Sequence, residues 1–387
     1  MLRTTRPKRA VVALIAVAGL ALSACGTTDS DDGGSDASGG DGGAACDLTL
    51  AFFGPQTGAA AGLGEPIING AQLAIDQYNE EAECEVAYEQ IDSQGSPDQA
   101  PSLATEASGN EAIIGIVGPA FSGESAAAGP IFAEAGLPTI SPSATATTLS
   151  ENGWDTFHRV LGNDATQGPA AAKYIQDTLA AKAVFVMDDA SEYGAGLAGI
   201  VQEDLGDTVV DTDTIQVGQT DFSASVTKVR SSKADTVFFG GYYAEGALIV
   251  RQLRDSGFEG NFVVADGVKD PGFLEGAGKA AEGTIITCPC IPAEEPSVAE
   301  FAAAYDEAFG GAPGTYAAEA YDAANIFLDG IAEGIDNRED MLAFVNEYDE
   351  AGVTKQLSFD ETGEPADVAV FAYKVEGGEI VSDQEIE

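Results

Sequence analysis

Basic residues are scarce in this chain. Lys and Arg together number 17 against 64 Asp and Glu, giving a formal net charge of −47. A nucleic-acid partner needs a basic footprint to replace counterions on phosphate, so that class of function is excluded. The imbalance does not demand a cationic substrate, because dispersed carboxylates also keep a protein solvated in salt or acid. Histidine is limited to His158, set in Phe157-His158-Arg159-Val160, which reads as a crossover strand. A Ser-His-Asp hydrolase would need that histidine beside a nucleophile elbow, and no Gly-x-Ser-x-Gly occurs. The five cysteines include no Cys-x-x-Cys pair, so a zinc site lacks its ligand spacing. These absences point away from an enzyme and imply no cofactor.

One long apolar run is present, Val11 to Leu22, preceded by Arg3, Arg6, Lys8 and Arg9 and ended by Leu22-Ser23-Ala24-Cys25. At about a dozen residues it is too short to span a bilayer stably and reads as the core of a secretory signal. A cysteine directly after the small residues suggests a lipobox, with cleavage of residues 1–24 and lipidation of Cys25. Those 24 residues carry four basic and no acidic side chains, so their removal takes the formal charge from −47 to −51. Residues 25–45 are almost entirely Gly, Ser, Thr, Ala and Asp and read as a disordered linker. The expected location is extracytoplasmic, with the chain lipid-anchored at Cys25 to the outer face of the cell membrane.

The body of about 340 residues exceeds what one core usually supports, so two lobes are expected. Apolar runs at Leu48–Phe53, Val86–Ile91, Ile113–Val117, Ala183–Met187, Thr236–Gly240, Phe262–Ala265 and Thr284–Thr287 read as strands. Between them lie helical patterns at Pro66–Tyr78, Ser122–Glu134, Pro169–Leu179 and Glu245–Ser256, with Pro66 placed at a first turn. This alternation makes an α/β protein with parallel sheets flanked by helices. Helices are then expected at Val298–Phe309, Tyr316–Ile331 and Arg338–Glu350, followed by a hairpin across Gly377-Gly378. If the first two strands are neighbours, Cys46 and Cys84 lie at one edge and pair as a disulfide, while Cys288 and Cys290 form a close pair.

Ligands of open parallel sheets bind where strand ends lead into helix starts. Two such loops are rich in hydroxyls: Gly118–Ser125, with Ser122 as an N-cap, and Ser141–Thr145. Both suit plain helix capping, and together they also suit a neutral cradle for a carboxylate. Gly194-Ala195-Gly196-Leu197-Ala198-Gly199 spells a dinucleotide motif, but six residues separate it from the preceding strand, so it reads as a helix packed closely on the sheet.

In order along the chain, Gly54–Gly58, Val117–Ser125, Ile140–Thr145, Gln167–Tyr174, Glu192-Tyr193-Gly194, Gly240–Tyr243 and Ala265-Asp266-Gly267 resemble the extracellular solute-binding proteins for leucine, isoleucine and valine. The resemblance implies the two-lobe type I periplasmic-binding-protein fold with three hinge crossings. It implies lobe one at 47–161 plus 290–353 and lobe two at 162–289 plus 354–387, with the third crossing near Thr354–Leu357. In its terms Ser122, Thr145 and backbone groups of Ser143 and Ala144 hold the ligand carboxylate. Thr145 and the Ser143 carbonyl also touch the ammonium, which Asp266 pairs with. Tyr193 and Tyr242 close over the ligand, and Phe121 and Tyr316 wall its side-chain pocket. Asp266 is one methylene shorter than the glutamate of that family, and Phe121 stands where the family often has a cysteine. The partners it implies are a small-molecule amino acid and an ABC permease and ATPase complex, with the protein itself a monomer. The same fold also serves binding proteins for short amides, urea or aromatic acids. An acid at 266 favours an amino acid.

Overall fold

The structure is a computed structural model that describes residues 44–386, with side chains from Asp47 onward. The signal segment, Cys25 and the linker to residue 43 lie outside the described residues. Five parallel strands form the first sheet: β1 (Ala44–Gly54), β2 (Cys84–Asp92), β3 (Ile113–Val117), β4 (Thr139–Ser141) and β5 (Phe157–Arg159), ordered β2-β1-β3-β4-β5. The run Ile113–Val117 is apolar throughout because both of its faces are covered. Parallel strands β6 (Val184–Asp188), β7 (Val209–Thr214), β8 (Thr236–Gly240), β9 (Asn261–Val264) and β10 (Ile285–Cys288) build the second sheet. A short hairpin, β11 (Asp349–Ala351) and β12 (Gln356–Ser358), stands apart. Antiparallel β13 (Phe371–Glu376) and β14 (Glu379–Glu385) then complete the second sheet, ordered β14-β13-β10-β9-β8-β6-β7.

Each sheet carries helices on its faces, and the chain crosses between sheets at 160–163 and after Cys288. Segment 357–365 stays with the first sheet: Arg159 N–H donates to the Gly363 carbonyl at 3.0 Å, and Arg159 Nη2 meets Glu364 at 2.8 Å. We therefore place the third crossing at 366–370, past the expected 354–357. Backbone pairing, which a turn cannot signal, holds that segment back.

Several helix boundaries move. Helix Ala61–Glu81 takes in Pro66 and begins five residues before it, and helix Asp164–Lys173 takes in Pro169 and starts behind the Asn163 cap. A proline removes one backbone hydrogen bond, and two tightly packed helices tolerate that loss. Ser122 is the first residue of helix Ser122–Glu134 and not its cap; Phe121 caps it, and the Glu124 carboxylate accepts the Phe121 N–H at 2.8 Å. The helix at Arg338 ends at Asn346, and Glu350 belongs to β11.

Ala44 pairs with Cys84 in register, so the starts of β1 and β2 are adjacent, and Cys84 is disulfide-bonded. The side chain of Cys46 lies outside the described residues, so its pairing with Cys84 is our proposal. Cys288 and Cys290 are bonded to each other at the end of β10.

Candidate functional site

The functional candidates gather where the carboxyl ends of both sheets face each other. Leu63, Phe121, Ser122, Ser143 and Tyr316 come from the side of the first sheet, and Tyr193, Tyr242, Asp266 and Gly267 from the second. They enclose a cavity of about 10 Å³, room for about one water. Phe121 and Tyr242 meet across it with ring centroids 4.8 Å apart, and Tyr242 meets Tyr193 at 5.3 Å. Seven of the nine residues that the sequence singles out as ligand contacts line this one space. Ala144 and Thr145 do not line it. The Ala144 N–H donates to Ser141 Oγ at 2.9 Å and its carbonyl accepts from Arg159 Nη1 at 2.7 Å, so both are spent on holding the loop.

The two hydroxyl loops are braced to each other. Ser143 Oγ donates to the Ala120 carbonyl at 2.6 Å, and Ser122 Oγ accepts the Ala146 N–H at 3.2 Å. Ser122 sits in the first turn of its helix, where backbone N–H groups lack intrahelical partners and the dipole favours an anion. Its hydroxyl proton remains to be donated. One end of the cavity thus offers hydrogen-bond donors.

The other end is acidic. Asp266 follows β9 and is 1% exposed. Its Oδ1 accepts from Gln167 Nε2 at 2.6 Å and from the Tyr193 hydroxyl at 2.7 Å; its Oδ2 accepts from the Tyr316 hydroxyl, which reaches it from the other lobe. Burial pushes the Asp266 carboxyl above the usual range, against the pull of the bonds from Tyr316, Tyr193 and Gln167. Burial, with the charge of Asp266 next, also raises Tyr193 and Tyr316 well above an ordinary phenol, so both stay donors. A carboxylate has about four acceptor positions; side chains fill three of them here, and the backbone N–H of Asp266 itself bears on the carboxyl as well. Among the described residues the ion pairs are Arg159–Glu364 and Lys228–Asp213, so no cation bridges Asp266.

Tyr316 holds its position at a cost: its φ of +69° is left-handed, a region that tyrosine rarely adopts, directly before helix Ala317–Ala332. Gly194 permits close approach of helix Glu192–Leu205 to β8, because a Cβ there would come within 2.6 Å of the Gly240 carbonyl. That packing delivers Tyr193, and it is why the glycine-rich run belongs to a helix and not to a phosphate loop. His158 is buried in β5 with Nε2 on Asn346 Oδ1 at 3.0 Å, away from the cavity's nine lining residues.

Gln167, Leu63 and Gly267 are site residues that sequence reasoning passed over. Gln167 lies within the quoted Gln167–Tyr174 match, and its one signal is a polar side chain on the buried face of a helix. Among the described residues no cluster of His, Cys, Asp and Glu is arranged to hold a metal, and no helix is long and apolar enough to cross a membrane.

The sequence model of the periplasmic binding protein family matches residues 47–379. The chain is 33% identical over 346 residues to the Leu/Ile/Val-binding protein BraC3 of Rhizobium johnstonii, covering 87% of this chain and 94% of that one. Its fold is similar to the leucine binding protein LivK of Thermotoga maritima, with a TM-score of 0.82 at 28% identity over 88% of this chain and 99% of that one. It is equally similar to the branched-chain amino acid transporter substrate-binding protein LivJ of Streptococcus pneumoniae in complex with isoleucine. There the TM-score is 0.81 at 28% identity, over 87% of this chain and 98% of that one. On the match across both lobes, this chain belongs to the periplasmic binding protein family.

Proposed function

We propose that this protein is the extracytoplasmic capture component of an ABC importer and that its ligand is a branched-chain or other aliphatic α-amino acid. The observation that carries the reading is Asp266: a buried acid held by hydroxyl and amide donors with no cationic partner, across an aromatic-walled cavity from the donors at Ser122. An ammonium meets the acid, a carboxylate meets the helix start, and the apolar walls between them suit an aliphatic side chain. The two charged ends belong to different lobes, so the ligand is held at both only when the lobes are together, which favours capture by closure. Relatives named for binding leucine, isoleucine and valine support the same class.

Calorimetry on the protein with leucine, isoleucine, valine, acetamide and benzoate tests this. We expect the amino acids to bind and Asp266→Ala to cost about 3–5 kcal/mol, since removal of one partner strands a buried charge. Asp266→Asn, which keeps acceptor capacity for Tyr193 and Tyr316, separates lost charge from lost packing. Binding of the leucine class to Asp266→Ala within twofold of the parent, about 0.4 kcal/mol, would refute the assignment. We further propose lipidation at Cys25, motivated by Leu22-Ser23-Ala24-Cys25. Labelled palmitate should appear on the parent protein and not on Cys25→Ser, and label on both would exclude the anchor.

A further inference from the structure

Behind the cavity wall lies a cluster of buried polar groups left without partners at hydrogen-bond distance. Asp164 opens helix Asp164–Lys173, a place where a carboxylate normally accepts backbone N–H groups. Here the capping is done by Asn163, whose Oδ1 takes the Ala165 N–H at 2.9 Å. Both oxygens of Asp164 are buried with no partner at hydrogen-bond distance, the Thr145 hydroxyl being the side-chain donor that faces them, and the residue is 1% exposed. Thr145 Oγ1 is buried and unpartnered as well, and the two residues are adjacent, the Asp164 N–H donating to the Thr145 carbonyl at 2.8 Å. Gln167 stands one turn along the same helix face, with Nε2 on Asp266 at 2.6 Å and Oε1 again unpartnered. The charged groups facing Asp164 are Asp266 after β9, Arg159 on β5 and Glu364 from the segment beside β5. Arg159 does not satisfy it: Nη1 and Nη2 go to the Ala144 and Ala146 carbonyls and to Glu364, and Nε has no partner. The neighbouring helix Glu192–Leu205 presents Gly196 to it, which has no side chain to donate.

An orphaned buried carboxylate is costly unless something arrives to use it. We propose that Asp164, acting through the Thr145 hydroxyl, is a second anchoring acid for the ligand ammonium, working with Asp266. The inference rests on the amino-acid reading above and concerns the same site. Thr145 is absent from the lining of the closed cavity, so the ammonium meets it as the lobes close on the ligand; there Thr145 turns its proton to Asp164, which leaves the lone pairs of Oγ1 free to accept an ammonium N–H. Asp266 supplies a charge that no cation of the protein pairs with, so a group with three N–H donors meets two acids where a single short one would leave it underserved. Asp164 is a positioning residue, since it reaches the ligand through Thr145. Burial, countered by the nearby hydroxyl of Thr145, pushes the Asp164 carboxyl up to about 7. An arriving cation lowers that value, so binding near neutral pH releases protons.

The test compares leucine with 2-hydroxyisocaproate, which keeps the carboxylate and side chain and lacks the ammonium. Calorimetry runs in buffers of differing ionisation enthalpy at pH 7. We expect Asp164→Asn to weaken leucine at least tenfold, to change the hydroxy acid by less than about twofold, and to abolish proton release. Thr145→Val should likewise weaken leucine and abolish proton release, and Thr145→Ser should restore the parent behaviour. Leucine binding to Asp164→Asn within twofold of the parent, or an equal loss of both ligands, would overturn the proposal and leave Asp164 a scaffold residue. A parent that binds no amino acid at all would instead remove the amino-acid reading, and this inference with it.

Discussion

At the scale of single residues, Phe121 decides how long a ligand side chain the site accepts. Its ring packs on Gly95, where an added Cβ would lie 2.9 Å from the ring, and faces Tyr242 on the other side at 4.8 Å. Held from both sides, it cannot withdraw, and the cavity of about 10 Å³ is short at that wall. We expect Phe121→Ala to raise the affinity for leucine relative to valine by about tenfold, since one methylene in an apolar pocket is worth roughly 1–3 kcal/mol. Competition calorimetry with the two amino acids measures the ratio, and an unchanged ratio would show that the pocket is limited elsewhere. Ser122 was legible because it stands in a hydroxyl-rich turn after an apolar strand, and Phe121 and Asp266 because the motifs around them resemble those of a known family. Asp164 and Gln167 were not. Inside a helix, an inward-facing polar residue has the same sequence appearance as an outward-facing one until packing fixes the face.

Among the secondary-structure elements, most strands were legible and the edge strand β7 was not. Ile113–Val117 and Thr236–Gly240 are fully buried, and continuous burial produces the apolar runs that mark them. Strand β7, Val209–Thr214, lies at the edge of its sheet with a mostly exposed, half-polar face, so its sequence carries no such run. Helix starts misled for a related reason. Pro66 and Pro169 carry the local signature of a first turn, yet both lie inside helices whose earlier turns are fixed by tertiary contact. For helix Ala61–Glu81 that contact is close: a Cβ on Gly70 would sit 2.1 Å from the Ala317 carbonyl, so the helix packs backbone to backbone against Ala317–Ala332. Tyr316 precedes that second helix, and its hydroxyl on Asp266 is therefore set by a packing relation between segments some 250 residues apart. Such a relation leaves no local trace in the sequence.

At the scale of the whole molecule, the acids divide into an exposed majority and a buried few, and the buried few govern how stability depends on pH. Burial raises Glu124 to about 7 despite hydrogen bonds from Ser93 and the Phe121 N–H, raises Asp164 to about 7, and raises Asp189 to about 6. Their ordinary values are 4.5, 3.8 and 3.8, so between those values and the raised ones the folded protein holds protons that the unfolded chain has released. Their contribution is therefore fully present below about pH 4 and is lost as pH rises through about 6–7. The low values of Asp92 and Asp360, set by local hydrogen bonds, act only near and below 3.8; buried His158, lowered from 6.5 by burial, opposes the trend as a single group against three acids. Self-repulsion of the surface carboxylates, growing with pH, pushes in the same direction as those three acids. We expect the ligand-free protein to melt several degrees higher at pH 5 than at pH 8, since a domain of this size gains roughly 2–4 °C for each kcal/mol. Glu124→Gln, which makes that site permanently neutral, should flatten part of the slope and thereby separate burial from surface repulsion. Calorimetric melts across that range measure both effects. A melting temperature that stays level or falls on going from pH 8 to pH 5 would mean these carboxyls are ionised in the folded protein, and the acidic end of the cavity would then need a permanent cation.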